Sequence, residues 1–145
     1  MDWIAIDGYN WGTSQTWSSW QPPDQTFGPM ITRLQAITTK PLAITELGTT
    51  TTTSSGTNLA AKSQWLTDAF NYALTKNIKM ILWFNQDKET DWAAFGGAQG
   101  DTSFTYNLQT FKTYAAYKTA ISSNSFVSSN TTNPRLLTDN QFAEQ

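Results

Sequence analysis

The sequence predicts an α/β fold built on parallel strands, and three observations carry that prediction. Three short runs, residues 2–9, 41–46 and 78–85, are rich in β-branched and aromatic residues, and Gly or Asn stands at the exits of all three. Segments of helical period separate and follow them. Strand, helix, strand, helix, strand, helix is an order that needs crossover connections, which are right-handed and collect the loops leaving the strand ends at one edge. With 145 residues the chain has enough length for one domain with a real core.

The first strand is Asp2 to Tyr9, and Gly8, Asn10 and Gly12 mark its exit. Alternation puts Ile4 and Ile6 on one face and Ala5, Asp7 and Tyr9 on the other. Thr13 to Gly28 is rich in Trp, Ser, Gln and Pro without periodicity and reads as a long loop. Met30, Leu34 and Ile37 predict a short amphipathic helix, and Pro41 launches the central strand, which ends on Glu46 before Gly48. Gly48 to Asn58 has the composition of a mobile loop. Leu66, Phe70, Ala73 and Leu74 predict a helix over 59–76 that stops at Asn77. The third strand, 78–85, runs into the acidic loop Gln86 to Trp92, extended by Gly96, Gly97 and Gly100. A last helix is expected over 104–121 with Leu108, Phe111, Ala115 and Ile121 buried. Residues 122–145 form a polar tail, partly disordered or docked through Phe126, Val127, Leu136, Leu137 and Phe142, beside a structured domain over 1–121.

Composition removes whole classes of chemistry. The sequence holds neither Cys nor His, so Ser-His-Asp and Cys-His triads, disulfide redox work and ordinary zinc sites are excluded. Carboxylates remain as acid, base or nucleophile, and no cofactor or metal is expected. Nine basic against eleven acidic side chains leave no footprint for nucleic acid or an anionic membrane. No run of about 18 apolar residues occurs, and strand-like sequence follows Met1 directly, so neither a membrane span nor a leader is expected; the compartment stays open. Seven Trp in a chain only 14% charged favour a carbohydrate or protein partner, because indole rings stack on the apolar faces of sugars and fill interfaces.

The candidate site lies where the strand exits meet. In parallel α/β proteins catalytic groups sit at the carboxyl ends of strands, which makes Glu46 the first candidate, against a structural role as a helix cap or surface ion pair. The same edge carries Asp7, Tyr9, Asn10 and Trp11 from the first strand and Trp83, Asn85 and Asp87 from the third. Asp7 equally suits the satisfaction of loop amides, and Tyr9 and Trp83 equally suit a core. Among the loop residues Trp11, Trp17 and Trp20, at least one is expected to meet sugar. Asp87, Glu89 and Asp91 have a calcium-like spacing, but the glycine such a loop needs is replaced by Trp92, so a solvated acidic loop is expected. Asn130-Thr131-Thr132 matches a glycosylation acceptor and is discounted with the leader.

Three segments together, Asp2-Trp-Ile-Ala-Ile-Asp-Gly-Tyr-Asn-Trp-Gly12, Lys40-Pro-Leu-Ala-Ile-Thr-Glu-Leu-Gly48 and Leu82-Trp-Phe-Asn-Gln-Asp-Lys-Glu89 with Asp91-Trp92, resemble the C-terminal part of glycoside hydrolase family 26, the β-mannanase-like retaining (β/α)8 barrels. The resemblance implies a partial TIM barrel made of its last three βα units. It implies Glu46 as nucleophile, Tyr9 holding that carboxylate by a hydrogen bond, Asp7 in support, and Trp83 as the platform under the sugar. Asn10, Trp11, Asn85 and Asp87 would line the substrate, a β-linked mannan- or glucan-type polysaccharide or oligosaccharide.

A retaining glycosidase also needs a second carboxylate about 5–5.5 Å from the nucleophile. In that family the acid comes from the fourth strand, and a complete barrel takes about 250 residues. A single chain of this kind is therefore expected to carry the nucleophile without the acid, with Asp7 and Asp87 as local substitutes of poor match. The barrel-facing side, expected to include Ala5, Leu42, Ile44 and Trp83, would be open, and a homo-oligomer would cover it. Two further readings stay open: a non-catalytic carbohydrate-binding fragment, and a structural fragment that self-associates.

Overall fold

The computed structural model describes residues 3–127 and 132. The expectations for Leu136, Leu137, Phe142 and most of the 122–145 segment fall outside those residues, as do Asp2 and Asn130.

Strand β1 (Ile4–Asn10) leads through a loop to helix α1 (Pro23–Ile37), and strand β2 (Leu42–Thr49) follows. A small hairpin of β3 (Thr52–Thr53) and β4 (Gly56–Thr57) precedes helix α2 (Leu59–Thr75) and strand β5 (Met80–Trp83). The hairpin β6 (Thr102–Tyr106) and β7 (Gln109–Thr113) and helix α3 (Ala115–Ile121) complete the order. β1, β2 and β5 form one parallel sheet in that spatial order, so the fold is mixed α/β with three helices and a three-stranded parallel sheet.

The core lies between the sheet and its helices. Phe27 and Ile31 of α1 and Trp65, Ala69 and Ala73 of α2 pack with Leu42, Ile44 and Leu47 of β2, flanked by Ile4 and Ile6. A second cluster joins Leu66 and Phe70 of α2 to Ala94 and Tyr114, with Phe126 packed against it. Ile4 and Ile6 face this layer while Ala5 and Asp7 are exposed, as alternation predicts. Leu42 and Ile44 do not line the open face as expected; both are buried on the helix side.

A β-bulge explains that difference. Ile6 pairs with Ile44, but Asp7 pairs with Glu46, so Thr45 is an extra residue on β2. The register to β5 shifts in the same place, between Ile44 and Leu47. One extra residue inverts the alternation beyond it. Ile44 and Leu47, three apart, therefore both enter the core, and Glu46 emerges on the opposite, exposed face.

Three elements depart from expectation for local reasons. α1 begins seven residues before Met30, because Pro23 at the first helical position supplies a pre-set φ where no intrahelical N–H bond is needed. Its buried stripe is Phe27, Ile31 and the half-buried Leu34, while Met30 and Ile37 are exposed. The threonine tract is an ordered hairpin with Thr53 Oγ1 donating to the Gly56 carbonyl at 2.8 Å. Residues 104–113 are no helix: Thr, Phe and Tyr favour strand, and Asn107 and Leu108 both take positive φ (48° and 63°) in the two-residue turn. Phe104 pairs with Phe111, and Phe95 stacks beside them at 5.0 and 5.5 Å. Leu108 is fully exposed rather than buried, as is about half of Ile121.

α2 matches its pattern most closely. Asn58 caps it by accepting from the Ala61 N–H at 2.9 Å, and Asn77 takes the left-handed conformation (φ 56°) just past its end. Leu74, expected in the buried stripe, is 45% exposed; the stripe runs instead through Lys62, Trp65, Leu66, Ala69, Phe70 and Ala73.

Candidate active site

Two neighbouring strand ends meet through one short hydrogen bond. The Tyr9 hydroxyl, near the end of β1, donates to Glu46 Oε2 at 2.6 Å. Charge-assisted O–H bonds to carboxylates have this length. Tyr9 reaches back across the parallel pair because its register partner is Gly48, two residues past Glu46. Gly48 also makes room: a Cβ there would lie 3.1 Å from the Tyr9 ring and 3.2 Å from that of Trp92. Burial first, then the Glu46 hydrogen bond and the charges of Glu46, Asp7 and Glu89, push the Tyr9 phenol far above its ordinary value. Tyr9 is thus a permanent donor and never a base at working pH.

Asp7 stands opposite Glu46 in the register, and its Oδ1 accepts from the Thr45 hydroxyl at 2.7 Å. The bulge residue that turns Glu46 outward therefore also fixes Asp7.

Aromatic rings form a wall around the pair. Tyr9 lies 4.9 Å from Trp92 and 6.0 Å, edge-on, from Phe84, and Trp11 lies 4.7 Å from Trp92 in a T-shaped contact. Trp17 continues the series, 5.4 Å from Trp11. Phe84 stands in this wall in place of Trp83, which the family resemblance implies as the platform. Strand parity decides between them: Trp83 turns to the helix layer, edge-on to Trp65 and Tyr117, with its indole N–H donating to the Trp92 carbonyl at 3.0 Å.

Asn10, Asn85 and Asp87 spend their hydrogen-bonding groups on the backbone and, for the Asn10 amide, on the Thr49 hydroxyl. Buried Asn10 accepts from the amides of Gly12 (3.1 Å) and Gln21 (2.9 Å) and donates to Thr49 Oγ1 at 2.8 Å. Asn85 accepts from the amides of Ala94 and Phe95, both at 2.9 Å, and donates to the Phe95 carbonyl at 2.8 Å. Asp87 accepts from the amides of Ala93 (2.9 Å) and Ala98 (2.6 Å). These side chains hold the two loops that frame Tyr9 and Glu46.

A buried lysine underlies the wall. Lys62, wholly buried in α2, donates to the carbonyls of Asp91 and Ala93 and pairs with Asp91 Oδ2 at 3.6 Å, over the ring of Tyr114. Asp91 in turn accepts from Thr50 Oγ1 at 2.7 Å and from the Thr51 amide at 3.0 Å. This network ties the exit of β2, helix α2 and the loop carrying Trp92 into one unit. Burial lowers the Lys62 ammonium to about 8, against the opposing pull of Asp91 and Asp87. Burial pushes Asp91 up, but Lys62 and the Thr50 and Thr51 hydrogen bonds outweigh it and hold the carboxyl below its ordinary value. Sequence pattern could not flag Lys62, since a lysine on an amphipathic helix reads as solvent-facing. Glu89 is exposed, as a solvated loop requires, and its Oε2 also accepts from the Trp92 indole N–H at 3.2 Å while its charge reaches Tyr9.

With this geometry in place, comparison with known proteins is specific. The chain is 42% identical over 95 residues to Endoglucanase H of Acetivibrio thermocellus. It is related to part of that protein. The match covers 63% of this chain and 10% of the relative, so the chain spans about a tenth of the length of the curated protein it matches. No family model matches the chain.

Proposed function

We propose that this chain is the nucleophile-bearing part of a retaining β-glycanase of the family 26 type, with β-glucan as the substrate class. The observation that carries the reading is the 2.6 Å bond from Tyr9 to Glu46 at the ends of adjacent parallel strands, inside an aromatic wall. The relationship to part of an endoglucanase favours glucan over mannan. The parallel βαβαβ unit is compatible with the last three units of a (β/α)8 barrel, and the domain spans 1–121 on this reading.

Glu46 attacks the anomeric carbon through Oε1, the sugar–oxygen bond breaks, and a glycosyl ester forms on the carboxylate. Tyr9 orients Glu46 through its hydrogen bond to Oε2. Asp7 supports the site beside Thr45. Trp11 and Phe84, with Tyr9, contact the sugar; Asn10, Asn85 and Asp87 serve by fixing loops, and Trp83 by bracing Trp92. Asp87 is engaged by two amides and Asp7 by Thr45, so the acid that protonates the leaving oxygen comes from outside this sheet. Met80 and Leu82, 39% and 44% exposed, lie with Ala5 on the open face, which another copy of the chain covers on this reading.

The test must not depend on the acid. A 2-deoxy-2-fluoro β-glucoside or cellobioside with a dinitrophenolate leaving group needs no protonation, so it should label the chain covalently. Peptide mass spectrometry is expected to place the label on Glu46, with none in Glu46→Gln. Labelling elsewhere, or equal labelling of the variant, would refute the assignment. Light scattering of the same sample checks the covering of the open face, which predicts a species larger than one chain.

A further inference from the structure

We infer that Trp17 is a prebuilt platform for a neutral sugar unit of the same β-glucan chain, distinct from the unit held at Glu46; the inference rests on the β-glycanase reading above. Trp17 is 71% exposed, the most exposed of the large aromatic side chains among the described residues. Its loop companions differ: Trp20 packs on the core and Trp11 is half-buried against Trp92. An indole left in water forgoes a large burial gain, and a rigid segment that presents one does so at a cost.

The segment is rigid by construction. Gly12 has φ +52°, and a Cβ there would lie 2.0 Å from the Thr52 carbonyl oxygen, to which Thr13 donates at 3.0 Å. The Ser14 hydroxyl donates to the Trp11 carbonyl at 2.7 Å, and Ser18 bonds both the amide and the carbonyl of Gln15 at 3.2 Å. Asn10 holds the Gly12 and Gln21 amides at either end, and the Trp65 indole N–H donates to the Gln21 carbonyl at 2.8 Å. Trp17 is therefore displayed in place, with little ordering left for a ligand to bring about.

Chemistry selects the occupant. From Trp11 to Gln21 the loop carries Ser, Thr and Gln and no charged residue, so nothing there would recognise a polyanion or an acidic or basic partner. An apolar ring beside exposed hydroxyls such as Thr16 and Ser19 matches a β-linked pyranose, which offers an apolar face and a rim of hydroxyls. Trp17 joins the Tyr9 cluster only by way of Trp11, two ring steps of 5.4 and 6.3 Å, so a sugar on it belongs to another unit along the polymer.

Calorimetric titration with the cello-oligosaccharide series, cellobiose through cellohexaose, tests this on the full chain, Trp17→Ala and Trp17→Phe. The expected loss in Trp17→Ala grows with length, slight at cellobiose and about tenfold at cellohexaose, which corresponds to about 1.4 kcal/mol. Trp17→Phe should recover most of it. Equal loss at all lengths, or none, would overturn the platform and leave the Glu46 assignment standing. Failure of the unmodified chain to bind any member would overturn both.

Discussion

Replacing Lys62 by Met would remove a charge from the centre of the fold while keeping the side chain's length. The ammonium is wholly buried, and its loss frees two main-chain carbonyls and leaves the Asp91 carboxylate, 14% exposed, without its counter-charge. Removing one member of a buried pair costs about 3–5 kcal/mol. Asp91 keeps its bonds from Thr50 and Thr51, which places this case at the low end, ~3 kcal/mol, or a fall in Tm of about 10 °C for a domain of this size. Urea titration read by tryptophan fluorescence measures the difference. Lys62→Met with Asp91→Asn should lose less than the two single changes together; strict additivity would refute the pairing. The pH profile gives a second reading. The folded ammonium loses its proton near 8 and the unfolded one near 10.5, so between those values the unfolded chain binds more protons and stability rises with pH. The raised phenols of Tyr9, Tyr72, Tyr114 and Tyr117 act oppositely above about pH 10, because unfolded tyrosines ionise first. The difference between native chain and Lys62→Met cancels the tyrosines, and a flat difference over pH 8–10 would contradict the argument.

Other expectations follow from single contacts. Tyr9→Phe deletes the bond to Glu46 and should slow covalent labelling about 10- to 100-fold, as loss of a charge-assisted hydrogen bond predicts, while water replaces the bond at the exposed Glu46 carboxylate and the melting temperature stays near native. Gly48→Ala, whose Cβ would press on Tyr9 and Trp92, should slow labelling in the same assay with the Tyr9–Glu46 bond chemically intact. Gly12→Ala meets both a positive φ and the Thr52 carbonyl, and should cost about 2–4 kcal/mol in urea titration. Leu108→Gly should stabilise by about 1 kcal/mol, because Leu108 is fully exposed at φ 63° in a two-residue hairpin turn that favours glycine.

Much of this was legible in the sequence because local preference and global pattern agree. The three strands and α2 with its Asn77 stop follow from short runs whose composition, period and terminators coincide, and their order brings Tyr9 and Glu46 to one edge, while a bond between the two is implied only by the family resemblance. The last helix occupies only the end of the expected span, Ala115–Ile121; Leu108 and Phe111 fit its helical stripe by chance, while the alternation of Thr, Phe and Tyr on either side of Asn107 makes a strand hairpin. Asn10, Asn85 and Asp87 show a different limit: a polar side chain at a strand end has the same sequence signature whether it faces a ligand or caps a loop. Trp83 and Phe84 are adjacent aromatics, and only the pairing of β5 with β2 tells which faces Tyr9.

Thr45 carries a consequence of another kind. On β2 the polarity of the candidate nucleophile is encoded by a residue count: Leu-Ala-Ile-Thr-Glu-Leu has one member more than its neighbours can pair. Drawing Thr45 into an unbroken ladder would rotate Glu46 into the layer of Phe27 and Trp65 and turn Leu47 to water, whereas deleting Thr45 would leave Glu46 opposite Asp7 but remove the hydroxyl that holds Asp7. These six residues, paired one for one, thus cannot place the carboxylate. A design or graft that straightens the strand while keeping all six residues would gain regularity and forfeit the site.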